Sequence, residues 1–163
     1  MGEHPSFHDP DIADDLLDLI SLLLQKIRDD LPRDAGSEQA TQEWRDISEL
    51  RATTGQVRLL RILTTHQRCT MQELADYLGV ALPSVTAMVK RLLSQGFVER
   101  IRDEQDWRFV WVLPTERGRH AVALFGKLRR ASLQRRLAHL SPEELAQLHA
   151  TLPILRHLIE VEP

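Results

Sequence analysis

Ser84, Thr86, Lys90 and Arg91 fall within one short stretch, PSVTAMVKRLLSQG. On a helix, positions three and four apart are neighbours, so two hydroxyls and two cations share one side. Such a group can donate to the edges of bases and neutralise phosphates, but it offers no means of breaking a covalent bond. Soon after it comes RDEQDWRFVWVLPTERG, from Arg102 to Gly118, where arginines flank acidic and turn-forming residues and a dense apolar run follows. The sequence holds no glycine-rich phosphate loop, nucleophile elbow or clustered acid–base pair, so neither enzymatic activity nor a cofactor is expected.

The residues around both stretches specify the elements that must carry them. Thr70-Met71-Gln72-Glu73 is a capping box, in which the threonine hydroxyl and the glutamate carboxylate satisfy each other's backbone donors, so a helix begins there. It carries Leu74, Ala75 and Leu78 and ends at Gly79, which supplies a left-handed residue. Pro83 opens the next helix, with Val85, Met88, Val89 and Leu92 inward and Gly96 at its end. Two short helices joined by a tight glycine turn form a helix-turn-helix. Phe97–Ile101 and Trp107–Leu113 then read as two strands around a charged turn. In the second, Trp107, Phe109, Trp111 and Leu113 alternate with Arg108, Val110 and Val112. A helix-turn-helix followed by a hairpin is a winged helix. Its second helix suits the major groove, and the hairpin, or wing, can bring an arginine to phosphate or into the minor groove.

Helical patterns flank this core on both sides. The first starts in the acid-rich segment Asp9–Asp15 and places Ile12, Leu16, Leu19, Leu23 and Ile27 at helical spacing. Leu17, Ile20, Leu22 and Leu24 widen that stripe, so the helix wants burial against more than its own small domain. Pro32–Ser37 breaks it; Ala40, Trp44 and Ile47 mark a short second helix, and Val57, Leu60 and Leu63 the inner face of a third. Beyond Thr115 the chain returns to helix through about Leu137. Ser141-Pro142-Glu143-Glu144 is a second capping box. It launches Leu145, Leu148, Leu152, Leu155 and Ile159, a seam suited to a partner helix, with a kink expected at Pro153. The expected fold is mainly α with a small β-hairpin wing. An N-terminal helical segment (1–52), the winged helix-turn-helix (53–118) and C-terminal helices (119–163) together form one structural domain.

Charge is distributed unevenly along the 163 residues. The net charge of −3 argues against a polyanionic partner until it is divided: residues 1–55 carry −8, residues 56–119 carry +3 and residues 120–163 carry +2. The acidity is confined to the N-terminal third, and the segment with the helix-turn-helix is mildly basic. No apolar run reaches the roughly 18 residues of a membrane span, and the start of the chain lacks the pattern of a signal peptide. A single cysteine, Cys69, excludes an intramolecular disulfide framework and fits a reducing, cytoplasmic location.

From GQVRLLRIL through TMQELADYLGVALPSVTAMVKRLLSQGFVERIRDEQDWRFVWVLPTERG, about Thr53 to Gly118, the chain resembles the MarR family of bacterial transcription regulators. The LGV turn, the PSVT helix opening, the LxxxGFVER exit and the D-x-R of the wing coincide in order and spacing. The resemblance implies a homodimer held by the N- and C-terminal helices and bound to a pseudo-palindromic double-stranded DNA operator. It also implies repression relieved by a small, often phenolic or anionic effector in a cleft between those helices and the winged helix. It places Pro83, Ser84, Thr86, Ala87, Lys90 and Arg91 on the groove-facing side of the recognition helix. Asp106 and Arg108 match the wing's acid–arginine pair, the acid orienting the arginine toward the minor groove. Gln56 and Arg58 open the supporting helix. The chain departs from the family at Ala81, where a polar cap is common, at Leu82, at Ala87 and at Pro114. It also departs at Trp107, where relatives are often basic.

Three other readings use the same residues. A winged helix can serve as a protein-interaction module, which the uncapped recognition helix and the acidic N-terminal third would favour. Cys69, beside Arg68 and a helix start, could make the regulator redox-responsive, provided its thiol is accessible and acidic. His4 and His8 have a metal-like spacing, but Pro5 and Pro10 bracket them, and His149 and His157 lack a third ligand, so no metal site is expected.

Overall fold

The computed structural model describes residues 10–31, 41–51, 54–103, 105–107 and 109–161. The helix break expected at Pro32–Ser37, the pair His4 and His8, and the wing residue Arg108 lie outside them. Seven helices and one hairpin are described, in the order α1 (Pro10–Asp29), α2 (Gln42–Arg51), α3 (Thr54–His66), α4 (Met71–Leu78), α5 (Leu82–Ser94), β1 (Val98–Arg102), β2 (Val110–Pro114), α6 (Glu116–Leu137) and α7 (Pro142–Glu160).

Helix α3 lies at the centre. Val57, Leu59, Leu60 and Leu63 are buried along it, so its apolar stripe is wider than the three positions expected from spacing. Ile47 and Leu50 of α2, Leu74 and Leu78 of α4, and Val85, Val89 and Leu92 of α5 close around it. Phe97, Val112 and Phe125 complete the same cluster from the hairpin and α6. Both capping boxes form: the Thr70 hydroxyl accepts from Glu73 N–H at 3.2 Å while Glu73 accepts from Thr70 N–H at 2.7 Å, and Ser141 and Glu144 do the same for α7. Gly79 ends α4 at φ 65°, and the Val80 N–H returns to the Ala75 carbonyl, which closes the turn between the two short helices.

The strands are shifted from their expected bounds: β1 is Val98–Arg102 rather than Phe97–Ile101, and β2 is Val110–Pro114 rather than Trp107–Leu113. They pair antiparallel, with Val98 opposite Pro114 and Arg102 opposite Val110. The reason is the turn. Phe109 N–H donates to the Asp106 carbonyl and Asp103 N–H to the Phe109 carbonyl, both at 3.0 Å, which takes Trp107 out of the ladder and onto the apex. Across the other edge of β2, Val112 exchanges both backbone hydrogen bonds with Cys69, at 2.8 and 3.0 Å.

The flanking helices leave much of their apolar surface uncovered. In α1, Ile27 is buried, but Leu17, Leu19, Ile20 and Leu22 to Leu24 are exposed. Its C-terminal end is tied to α6, where Ser132 Oγ and Arg136 Nη2 both donate to Asp30 Oδ2, at 2.6 and 2.7 Å. Helix α7 has no buried residue; Leu145, Leu148, Leu152, Leu158 and Ile159 are all exposed. It runs unbroken through Pro153. No described helix is long and apolar enough to cross a membrane.

Candidate nucleic-acid interface

Helix α5 sorts its residues cleanly. Val85, Val89 and Leu92 are fully buried, while Pro83, Ser84, Thr86, Ala87, Lys90 and Arg91 are all exposed. The buried positions recur at spacings of four and three, so the exposed ones line the opposite, solvent side. The packing that fixes the helix is therefore separate from the face it presents. Lys90 and Arg91 make no ion pair with another described residue, so both charges are available to a partner. The Thr86 hydroxyl donates to the Leu82 carbonyl at 2.9 Å, which leaves its oxygen as an acceptor. Ala81 has the extended backbone of an N-cap, φ −64° and ψ 145°, with no side-chain cap bond.

The far end of α5 is held from two other helices. Arg117 of α6 donates from Nη1 to the Gln95 carbonyl at 2.5 Å and from Nε to Asp46 of α2 at 3.1 and 3.2 Å. Its guanidinium also lies over the Phe97 ring, 4.8 Å from the centroid. Asp46 is buried, and its hydrogen bond holds the guanidinium in the charged form, raising the Arg117 pKa.

In the wing, the organising acid is Asp103. Its Oδ1 accepts from the Gln105 and Asp106 N–H groups at 2.9 and 3.1 Å, and its Oδ2 accepts from Trp111 Nε1 at 2.8 Å. These bonds, that of Trp111 first, hold its carboxyl below the ordinary value of 3.8. Arg68 lies 4.5 Å above the Trp111 ring, so Trp111, one pair from the tip end of the ladder, is covered rather than free. Trp107, at the apex, is 75% exposed, and Phe109 and Val110 are exposed beside it. The expected partnership of Asp106 with Arg108 involves a residue outside those described; the Asp106 N–H is joined to Asp103 Oδ1 and its carbonyl to the Phe109 N–H.

Cys69 is buried at 1% exposure, between the base of the wing and the start of α4. Burial, with a smaller contribution from the Glu73 charge, pushes its thiol up to about 11. It is therefore protonated at neutral pH, the opposite of a reactive thiolate. Gln56 is buried too, inside the supporting helix rather than on the groove side, whereas Arg58 is exposed and reaches the Tyr77 carbonyl at 3.4 Å. Among the described residues no group of three His, Cys, Asp or Glu side chains could hold a metal ion.

A cleft of about 530 Å³ opens between α1, α3 and α6. Arg28, Arg58, Arg61 and Arg129 rim it, Leu24, Val57 and Phe125 form its apolar wall, and among the described residues no carboxylate lines it. The resemblance implied a cleft between the flanking helices and the winged helix, but the sequence named none of its residues, because these arginines come from three separate helices. Sequence reasoning also missed Asp103, although an aspartate just ahead of two backbone donors is the signature of an Asx turn and was there to be read.

Residues 52–110 match the sequence model of the MarR family. The chain is 31% identical over 118 residues to an HTH-type transcriptional regulator, YfiV, of Bacillus subtilis, covering 71% of this chain and 74% of that one. Among solved structures, Rv1404 from Mycobacterium tuberculosis has the same fold, with TM-score 0.72, 24% identity and coverage of 97% of this chain and 99% of that one. A mutant MarR from E. coli complexed with operator DNA superposes with TM-score 0.57 at 28% identity, covering 86% and 92% of the two chains.

Proposed function

The chain belongs to the MarR family of winged-helix DNA-binding transcription regulators, and from that premise we propose that it acts as a homodimeric repressor released from a pseudo-palindromic operator by a small anionic effector. The observation that carries the reading is α5, whose apolar side is fully committed to the core while Ser84, Thr86, Lys90 and Arg91 are left to a partner. In this reading Ser84 and Thr86 contact base edges and Lys90 and Arg91 contact phosphates or guanine edges. Pro83 and Ala87 permit close approach, and the wing brings Asp106 and Arg108 to the minor groove. The action is cytoplasmic, on double-stranded DNA.

The unpartnered leucines of α1 and α7 support the dimer, since a helix exposing several large apolar side chains is stabilised by covering them. Two-fold symmetry then sets recognition helices in successive major grooves, roughly 34–36 Å apart. The arginine-rimmed cleft supports an anionic effector with an apolar or aromatic body. It lies between α1 and the supporting helix α3, so a ligand that fits it better in one arrangement of the two reading heads shifts the population toward that arrangement.

Selection of bound duplex from a random pool tests this reading directly. A palindrome with half-sites one helical turn apart is the expected result. Lys90→Ala should lower the dependence of log affinity on log salt by ~0.9, the value of one phosphate contact in B-DNA. Retention of no duplex, with pull-down of a protein partner instead, would replace the regulator with an interaction module. Unchanged binding by Lys90→Ala and Arg108→Ala combined would overturn the assignment of the contact residues.

A further inference from the structure

Asp103 spans the wing. It follows the last residue of β1, and its carboxylate reaches both the tip loop, through Gln105 and Asp106, and the opposite strand, through Trp111. The Trp111 ring is covered in turn by Arg68, which comes from the body of the protein between α3 and α4. A two-stranded hairpin alone is marginally stable in water, and among the described residues beyond the last strand pair the backbone bonds are Asp103 N–H to Phe109 and Phe109 N–H to Asp106. Asp103, Trp111 and Arg68 therefore join the described part of the tip, Trp107 included, to the opposite strand and to the body of the protein.

We propose that Asp103, clamped between the tip turn and the Arg68-covered Trp111, is the positioning residue of the wing: it sets where the apex meets DNA without touching DNA itself. This rests on the DNA-binding reading above. The chemistry explains why a carboxylate is needed. Its two oxygens serve two sets of donors at once, whereas an asparagine has one acceptor oxygen and would turn its NH2 toward another donor. Asp103→Asn thus keeps the shape and loses one arm of the clamp. Trp111→Phe keeps an aromatic ring under Arg68 and loses only the indole N–H.

The test uses the full chain and the duplex that the unaltered protein selects from a random pool. Each variant should bind about tenfold more weakly, the size of one charge-assisted hydrogen bond. The double variant should bind no more weakly than either single one, because both remove the same link. Minor-groove protection from hydroxyl radicals should fade at the flanks of the site, while major-groove protection under α5 persists and the melting temperature moves by only a few degrees. Unchanged minor-groove protection in both variants would overturn the proposal. So would additive losses, or a loss that extends equally to the α5 footprint. If Asp103→Asn melts early, Trp111→Phe decides by the same footprints. Failure of the unaltered protein to select any duplex would instead remove the DNA-binding reading and this inference with it, and that outcome is recognisable before any variant is made.

Discussion

Arg117 and Asp46, 71 residues apart, form a bond between α6 and α2, beside that of His120 with Glu43. The same guanidinium holds the Gln95 carbonyl at the end of α5, so the recognition helix, the supporting body and a flanking helix meet at one side chain. A buried ion pair loses roughly 3–5 kcal/mol when one partner is removed. Arg117 retains 38% side-chain exposure, which screens its half of the pair, so the expected cost is lower. Arg117→Ala should destabilise the protein by about 2 kcal/mol in urea unfolding, because it strands the buried Asp46 carboxylate, and Asp46→Ala by less, because the guanidinium keeps the Gln95 carbonyl and reaches water. A double-mutant cycle with no coupling energy would show that the contact contributes nothing.

Ala81 offers a gain rather than a loss. Its backbone already has the N-cap conformation, but the first turn of α5 receives no side-chain acceptor. Ala81→Ser should stabilise the protein by about 1 kcal/mol, a rise of roughly 2–4 °C in melting temperature for a chain of this size. Thermal unfolding followed by circular dichroism would reveal it; an unchanged or lowered midpoint would mean that the hydroxyl does not reach the Ser84 or Val85 N–H.

Cys69 gives a pH dependence. Burial raises its pKa from the ordinary value of 9.0 to about 11, so burial favours the folded state while the thiol stays neutral. That contribution is complete below pH 9 and is lost as pH rises toward 11, where the unfolded chain ionises first. Alkylation by iodoacetamide should be slow at pH 7 and accelerate only in strongly alkaline buffer. Rapid modification at pH 7, or release of DNA by peroxide that is abolished in Cys69→Ser, would restore a redox role.

Gly118 of α6 lies against the backbone of Phe97, the residue ahead of β1. A Cβ there would sit 2.0 Å from the Phe97 carbonyl oxygen, which is backbone and cannot swing away. Gly118→Ala should therefore cost roughly 3 kcal/mol or more, beyond ordinary overpacking. A variant that unfolds at the same urea concentration as the parent would contradict this geometry.

What could be read from sequence depended on how local each cause was. Thr70, Gly79 and Ser141 announced their helix ends because capping joins residues three or four apart, and the structure has those caps. The sides of α5 followed from periodicity for the same reason. The bounds of the hairpin did not, because the tip is shaped by the Asp103 side chain; alternation alone extended the second strand back to Trp107. The grip of Arg117 on Asp46 and the four arginines of the cleft join distant parts of the chain, and no spacing rule registers them. Leu59 was missed because a central helix packed on several sides buries more than one stripe.

The single pairing of Cys69 with Val112 has a further consequence for how the sheet ends. Val112 turns both its N–H and its carbonyl toward Cys69, so on that edge the next pairing residues of β2 are Val110 and Pro114. Pro114 has no N–H to give, and Gln67, which would face it, is left-handed at φ 67°. In the other direction α4 begins at Met71, and a helix spends its backbone groups on itself. The edge is sealed after one residue on either side, so it cannot template another strand and offers no foothold for a neighbouring chain to add one.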